Sequence, residues 1–160
     1  MTAIFKKLNL KEQREILVLS APESFEADLA ELEDVRILRS LDQGEQSQLP
    51  VAGTVSFLLA FVTRLDEIEK LASVLAEKSP GDAVVWLAYP KGSSKKYKCE
   101  FNRDTGWEAL GRAGFEPVRQ VAIDEDWSAL RFRRAAYIKT LRRDASWAMS
   151  EEGKKKATKN

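Results

Sequence analysis

The chain contains no histidine and a single cysteine, Cys99, among its 160 residues. One thiol permits no intramolecular disulfide, and without imidazole the chain cannot build a Ser/His/Asp triad, a Cys/His pair or the usual nitrogen and sulfur ligand set of zinc. It also lacks a long apolar run. The longest stretch without a charge, Gln46 to Thr63, is interrupted by Pro50, Gly53 and several polar residues, so it falls short of the ~20 apolar residues that a spanning helix needs. The opening residues MTAIFKKLNLKEQRE have no apolar segment of signal-peptide length, and a cytoplasmic address is the expectation. With 8 Gly, 5 Pro, 44% apolar and 32% charged residues, the composition is that of an ordinary globular protein of one domain.

Charge is uneven along the chain although the net value is only +1. Residues 131–160 carry ten Lys/Arg against three Asp/Glu, whereas residues 1–130 carry sixteen against twenty-two. The expected division is therefore an α/β domain over residues 1–136 and a basic C-terminal tail over 137–160, its last ten residues disordered.

Four short apolar runs set the architecture. Glu15 to Ser20, Asp34 to Arg39, Val55 to Val62 and Ala83 to Tyr89 read as strands, and three of them are apolar enough to be buried on both faces of a parallel sheet. Arg36 and Arg39 mark the second as an edge strand. A short helix follows Ala21-Pro22-Glu23, with Pro22 in its first turn and Phe25, Leu29 and Leu32 on one side. The segment LDQGEQSQLPVAGT reads as a loop. Thr63 with Asp66 has the form of a capping box, Leu65, Ile68, Leu71, Ala72 and Leu75 make one stripe, and Ser79-Pro80-Gly81 stops the helix. Thr105 with Glu108 is a second capping-box pattern, and Gly114 closes a helix of two to three turns. Phe115 to Ile123 and Trp127 to Arg134, joined by Asp124-Glu125-Asp126, read as an antiparallel hairpin. The whole is a Rossmann-like three-layer α/β sandwich of six strands in spatial order 2-1-3-4-6-5.

In open sheets of this kind ligands sit beyond the carboxyl ends of the strands. The candidate ligand-binding residues there are Ser20 after the first strand, Tyr89, Lys91, Ser93, Ser94 and Lys95 around the fourth, and Asp124 at the hairpin turn. The loop Pro90-Lys-Gly-Ser-Ser-Lys-Lys96 supplies ammonium groups, hydroxyls and a glycine, a combination suited to a small anionic ligand, although it is not a Walker loop. Its plain alternative is a solvated loop in which Lys91 pairs with an acid of the turn. Asp124, Glu125 and Asp126 diverge in an extended segment, so no metal site is expected. Trp86, Trp107 and Trp127 read as core residues; Trp147 lies in the tail. Cys99, beside Lys96 and Lys98, reads as an ordinary thiol. The basic tail, from Arg131 through Lys154 to Lys156, has the electrostatic character to contact nucleic acid, another polyanion or a protein partner, or simply to confer solubility.

Several segments together resemble a bacterial domain-of-unknown-function family: L-x-L-K-E-Q-R-E-I-L-V-L-S-A-P (Leu8 to Pro22), V-V-W-L-A-Y-P-K-G-S-S (Val84 to Ser94), Gly106-Trp107 and A-I-D-E-D-W-S-A-L-R-F (Ala122 to Phe132). This resemblance implies no activity. A more distant one is to the class I methyltransferase fold, carried by the step K-S-P-G-D-A-V-V-W (Lys78 to Trp86) and the terminal hairpin. It implies a degenerate S-adenosylmethionine-dependent enzyme as the alternative function, with Asp124 or Tyr89 as base and Lys91 as electrostatic stabiliser. The chain departs from that family where the cofactor would bind. Leu19-Ser20-Ala21-Pro22 has no glycine, and Ile37-Leu38-Arg39 replaces the ribose-binding acid, so no cofactor is expected.

Overall fold

Strands that are apolar on both faces need cover on both faces, and three of the runs meet that need side by side. Glu15–Leu19 (β1), Phe57–Phe61 (β3) and Val84–Pro90 (β4) are parallel neighbours at the centre of the sheet, buried along nearly their whole length. The computed structural model describes residues 2–39, 56–78, 81–102 and 104–138. Arg36–Leu38 (β2) runs parallel to β1 as an outer strand, and Phe115–Ala122 (β5) with Trp127–Arg134 (β6) forms the hairpin, β6 lying antiparallel to β4. The six-stranded order is β2-β1-β3-β4-β6-β5, as the sequence implies.

Alternation along the strands feeds two cores. Leu17, Leu58, Val85, Leu87 and Phe132 face one side, under Leu65–Lys78 (α3) and Glu108–Arg112 (α4). Ile16, Val18, Leu59, Trp86 and Ala129 face the other, under Ala3–Lys7 (α1) and Glu26–Ala30 (α2). The sandwich therefore has three layers. Among the described residues no helix is long and apolar enough to cross a membrane.

Local geometry departs from the sequence reading in several places. Helix α1 is unforeseen: its Phe5 is fully buried, and Leu8 just beyond it accepts a 2.7 Å hydrogen bond from Trp86 Nε1. Pro22 precedes a 3-10 turn, Glu23–Phe25, in extended backbone instead of standing within the helix. At the start of α3 the acid that reaches back is Glu67, not Asp66. Its Oε1 accepts from the amides of Thr63 and Arg64, both at 3.0 Å. Leu65 is 42% exposed, so the stripe begins at Ile68. Thr105 caps nothing. It donates to Asn102 Oδ1, which also accepts from the amides of Asp104 and Thr105, and α4 spans only five residues. Asp34, at φ 56, ends the extended run on one side and shortens β2 to three residues. The expected loop over 41–54, Val55, the Ser79-Pro80 stop and the tail from 139 onward, with Trp147, lie outside the described residues. Before that point Ala135–Tyr137 forms a 3-10 turn and Ile138 is buried.

Candidate functional site

Strand β4 ends at Pro90 beside the start of β6, because the register sets Tyr89 opposite Ser128 and Pro90 opposite Trp127. The chain then turns sharply. Lys91 donates its amide to Asp126 O at 2.8 Å, and Ser94 donates its amide to Lys91 O at 2.9 Å and its hydroxyl to Asp126 Oδ1 at 2.8 Å. The lysine-bearing bend and the acidic hairpin turn are thus one hydrogen-bonded unit.

From Ser94 the loop runs back across the edge of the sheet. Tyr97 donates its amide to Ser94 Oγ and packs its ring 4.9 Å from that of Trp127. Farther on, Glu100 is held by its amide on Thr63 O and by its carboxylate, which accepts from the Leu65 amide at 2.9 Å. Phe101 stacks edge-on to Trp107 at 4.9 Å, and Trp107 Nε1 donates to Asn102 O.

Between this pinned loop and the hairpin lies an open cleft of about 610 Å3. Tyr89, Pro90, Tyr97 and Phe101 give it apolar and aromatic walls; Ser94, Asn102, Gln120 and Ser128 give it hydrogen-bonding groups. Two lysines, Lys91 and Lys98, reach it, and none of its lining residues is an aspartate or glutamate. The Lys91 ammonium makes no ion pair among the described residues. Gln120 Nε2 donates to Tyr89 Oη at 3.0 Å, which fixes the phenol against the β5 side. Cys99 also lines the cleft, and its half-buried thiol is pushed above its ordinary pKa chiefly by burial, with Glu100 and Glu67 adding to the rise and the Phe101 backbone opposing it.

Of the residues singled out from sequence, Tyr89, Lys91 and Ser94 line this cleft. Ser94 spends its hydroxyl on Asp126 and the Tyr97 amide. Ser93 and Lys95 are exposed and do not line it. Asp124 is exposed in the hairpin turn, where its Oδ1 accepts from the amides of Asp126 and Trp127 at 2.8 and 2.9 Å. Ser20 stands apart, at the end of β1 with β3 between it and β4. The sequence reading missed Lys98, Asn102, Gln120 and Ser128. Ser128 carried a usable signal: a small polar residue inside an apolar run, which the structure buries to 6% exposure. No group of His, Cys, Asp or Glu among the described residues is arranged to hold a metal ion.

No protein-family profile matches the chain, and no characterised protein matches it in sequence, so the motif resemblance to a domain-of-unknown-function family gains no support. Solved structures do match. A SAM-dependent methyltransferase from Aquifex aeolicus is 16% identical, with 82% of this chain and 87% of that one covered at a TM-score of 0.53. A protein in the NADB-Rossmann superfamily from Streptococcus agalactiae is 10% identical over 84% of this chain and 68% of that one, at a TM-score of 0.47. The fibrillarin pre-rRNA processing protein of Methanococcus jannaschii is 14% identical over 78% and 68%, at 0.48. The first likeness shows a shared Rossmann-like, methyltransferase-like fold and, at that identity, the fold alone.

Proposed function

We propose that this protein is a binding module for a small anionic ligand with an aromatic or apolar body, held in the cleft between the loop over 91–102 and the β5–β6 hairpin. One observation carries the reading: a cleft of about 610 Å3 with aromatic walls and two lysines, and with no carboxylate in its lining. Lys91 and Lys98 would take the acidic group through charge-assisted hydrogen bonds, Asn102 and Gln120 would orient it, and Tyr89 and Phe101 would receive the body.

The test is a titration of aromatic carboxylates and nucleotides followed by amide chemical shifts. Saturable shifts at residues 91–98, 120 and 128 are expected, and the double variant Lys91→Gln/Lys98→Gln should weaken binding at least tenfold, about 1.4 kcal/mol. Absence of any shift in that segment at millimolar ligand discards the reading.

The fold likeness favours a second reading, a degenerate S-adenosylmethionine-dependent enzyme. The rim of β1 and β2 does not fit that cofactor. Ser20 occupies left-handed backbone at φ 56, its side chain standing where a glycine-rich turn would let backbone approach a ligand, and Ala21-Pro22 follows. At the end of β2, Arg39 forks onto Glu26, both bonds at 2.9 Å, and presents no acid to a ribose. Calorimetry with S-adenosylmethionine decides: measurable heat of binding revives the enzyme reading, and no heat removes it.

A further inference from the structure

On the face of the sheet opposite the cleft, the outer hairpin carries charged residues where apolar ones would continue the core: three arginines and the fully buried Glu116, which stands across from Arg133. The register sets Arg119 of β5 directly across from Arg131 of β6, with Trp86 on the other flank of Arg131. Arg133 follows two residues along on the same face. Residues so opposed have β-carbons about 4.5–5.5 Å apart, and like charges in that relation repel.

A bulge creates the pairing. The register shifts between Pro117 and Arg119, leaving Val118 as the extra residue. Without the shift, Val118 would oppose Arg131 and Arg119 would turn to the cleft face; with it, consecutive residues Arg119 and Gln120 serve opposite faces.

Compensation is incomplete. Arg133 is bound by Asp82 through Nε–Oδ1 at 2.8 Å and Nη2–Oδ2 at 2.6 Å. Arg119 and Arg131 make no ion pair among the described residues. The Nε of Arg131 is moreover buried with no hydrogen-bond partner, a state that folded proteins rarely leave unexplained.

We propose that Arg119 and Arg131 form an oxyanion site for a phosphate group. Two guanidinium groups on neighbouring strands match the oxygens of a phosphate, whose negative charge would offset the repulsion between them. Burial, and then the charge of Arg133, hold the Arg131 guanidinium below its ordinary basicity; the Asp82 carboxylate opposes this only in part, and Arg119 adds to the fall. The phosphate can belong to a small molecule or to a nucleic acid backbone.

The full chain is titrated with inorganic pyrophosphate and, separately, with a single-stranded oligothymidylate at constant ionic strength, reading arginine Nε–Hε signals. Pyrophosphate is expected to move the Arg119 and Arg131 signals saturably while residues 91–98 stay still, which separates this site from the cleft. Arg119→Gln, at an exposed position, keeps the fold and should weaken binding tenfold or more; Arg131→Gln should do the same if its melting curve shows it folded. If the oligonucleotide moves the same signals, with a salt slope lowered by about one in Arg119→Gln, the source is nucleic acid. If only pyrophosphate does, it is a small phosphate. Neither ligand moving those signals, or undiminished binding by Arg119→Gln, overturns the proposal.

Discussion

At Gly106 the backbone stands at φ +97, and a β-carbon added there would overlap Phe101 Cβ and sit 3.1 Å from Leu65 Cδ2. Phe101 is a cleft wall, so the glycine is part of the site's scaffold. Gly114, at φ +93, has open space around it. Gly114→Ala should therefore cost only the left-handed penalty, about 1–2 kcal/mol, while Gly106→Ala should cost roughly 3 kcal/mol or more because the ring must also move. Urea denaturation of the two variants checks this, and equal losses would show that Phe101 is not the cause. Cys99 permits a second test at this scale. With its thiol held above the ordinary pKa by burial and nearby acids, it should react with a disulfide reagent more slowly in the folded chain than in urea at the same mildly alkaline pH. Tyr89, Lys91 and Ser94 were legible in the sequence because they lie at the end of a strand or just beyond it. Lys98 and Asn102 were not, since the path of their loop depends on Glu100 reaching Thr63 and Leu65, thirty-seven and thirty-five residues back along the chain.

Elements were legible in proportion to their length and periodicity. Helix α3, with fourteen residues and a buried stripe, announces itself; α1, with five, is too short to show a period and is held by tertiary contacts alone. Its anchor is the bond from Trp86 Nε1 to Leu8 O. Trp86→Phe removes the donor and strands a carbonyl against a buried indole site, so a loss of about 1–3 kcal/mol is expected, with amide exchange in residues 3–8 accelerating beyond that elsewhere. Caps were half legible: the capped end was located, but Thr63 donates to the capping group and is not itself the cap, and the acid is Glu67 because the helix starts at Leu65 and its third residue is Glu67. Glu67→Ala should lower stability by about 1 kcal/mol, and Asp66→Ala by less, a ranking that thermal melts of both would test.

For the molecule as a whole, strand order was legible because buried runs must be central and the charged or alternating ones peripheral. The register of the hairpin was not, since a one-residue bulge leaves no mark in composition, yet it decides which arginines face each other. Asp82 ties the two scales together: it enters β4 and holds Arg133 of β6, across the boundary between the parallel sheet and the hairpin. The Arg133 guanidinium draws the Asp82 carboxyl below its ordinary value of 3.8, and burial opposes this only in part. A depressed carboxylate contributes stability that is complete above the unfolded value and lost as pH falls through the folded one. Both side chains are about one-third exposed, so screening keeps the contribution at roughly 0.5–1 kcal/mol. Asp82→Asn should accordingly be less stable than the native chain at neutral pH and converge with it in acid, below the depressed value; a gap that persists there would assign the loss to packing. The same substitution releases Arg133 to the face that holds Arg119 and Arg131. Affinity for pyrophosphate should then rise as stability falls, opposite signs from a single change, because the carboxylate that holds the hairpin to the sheet also competes with a phosphate for the third guanidinium.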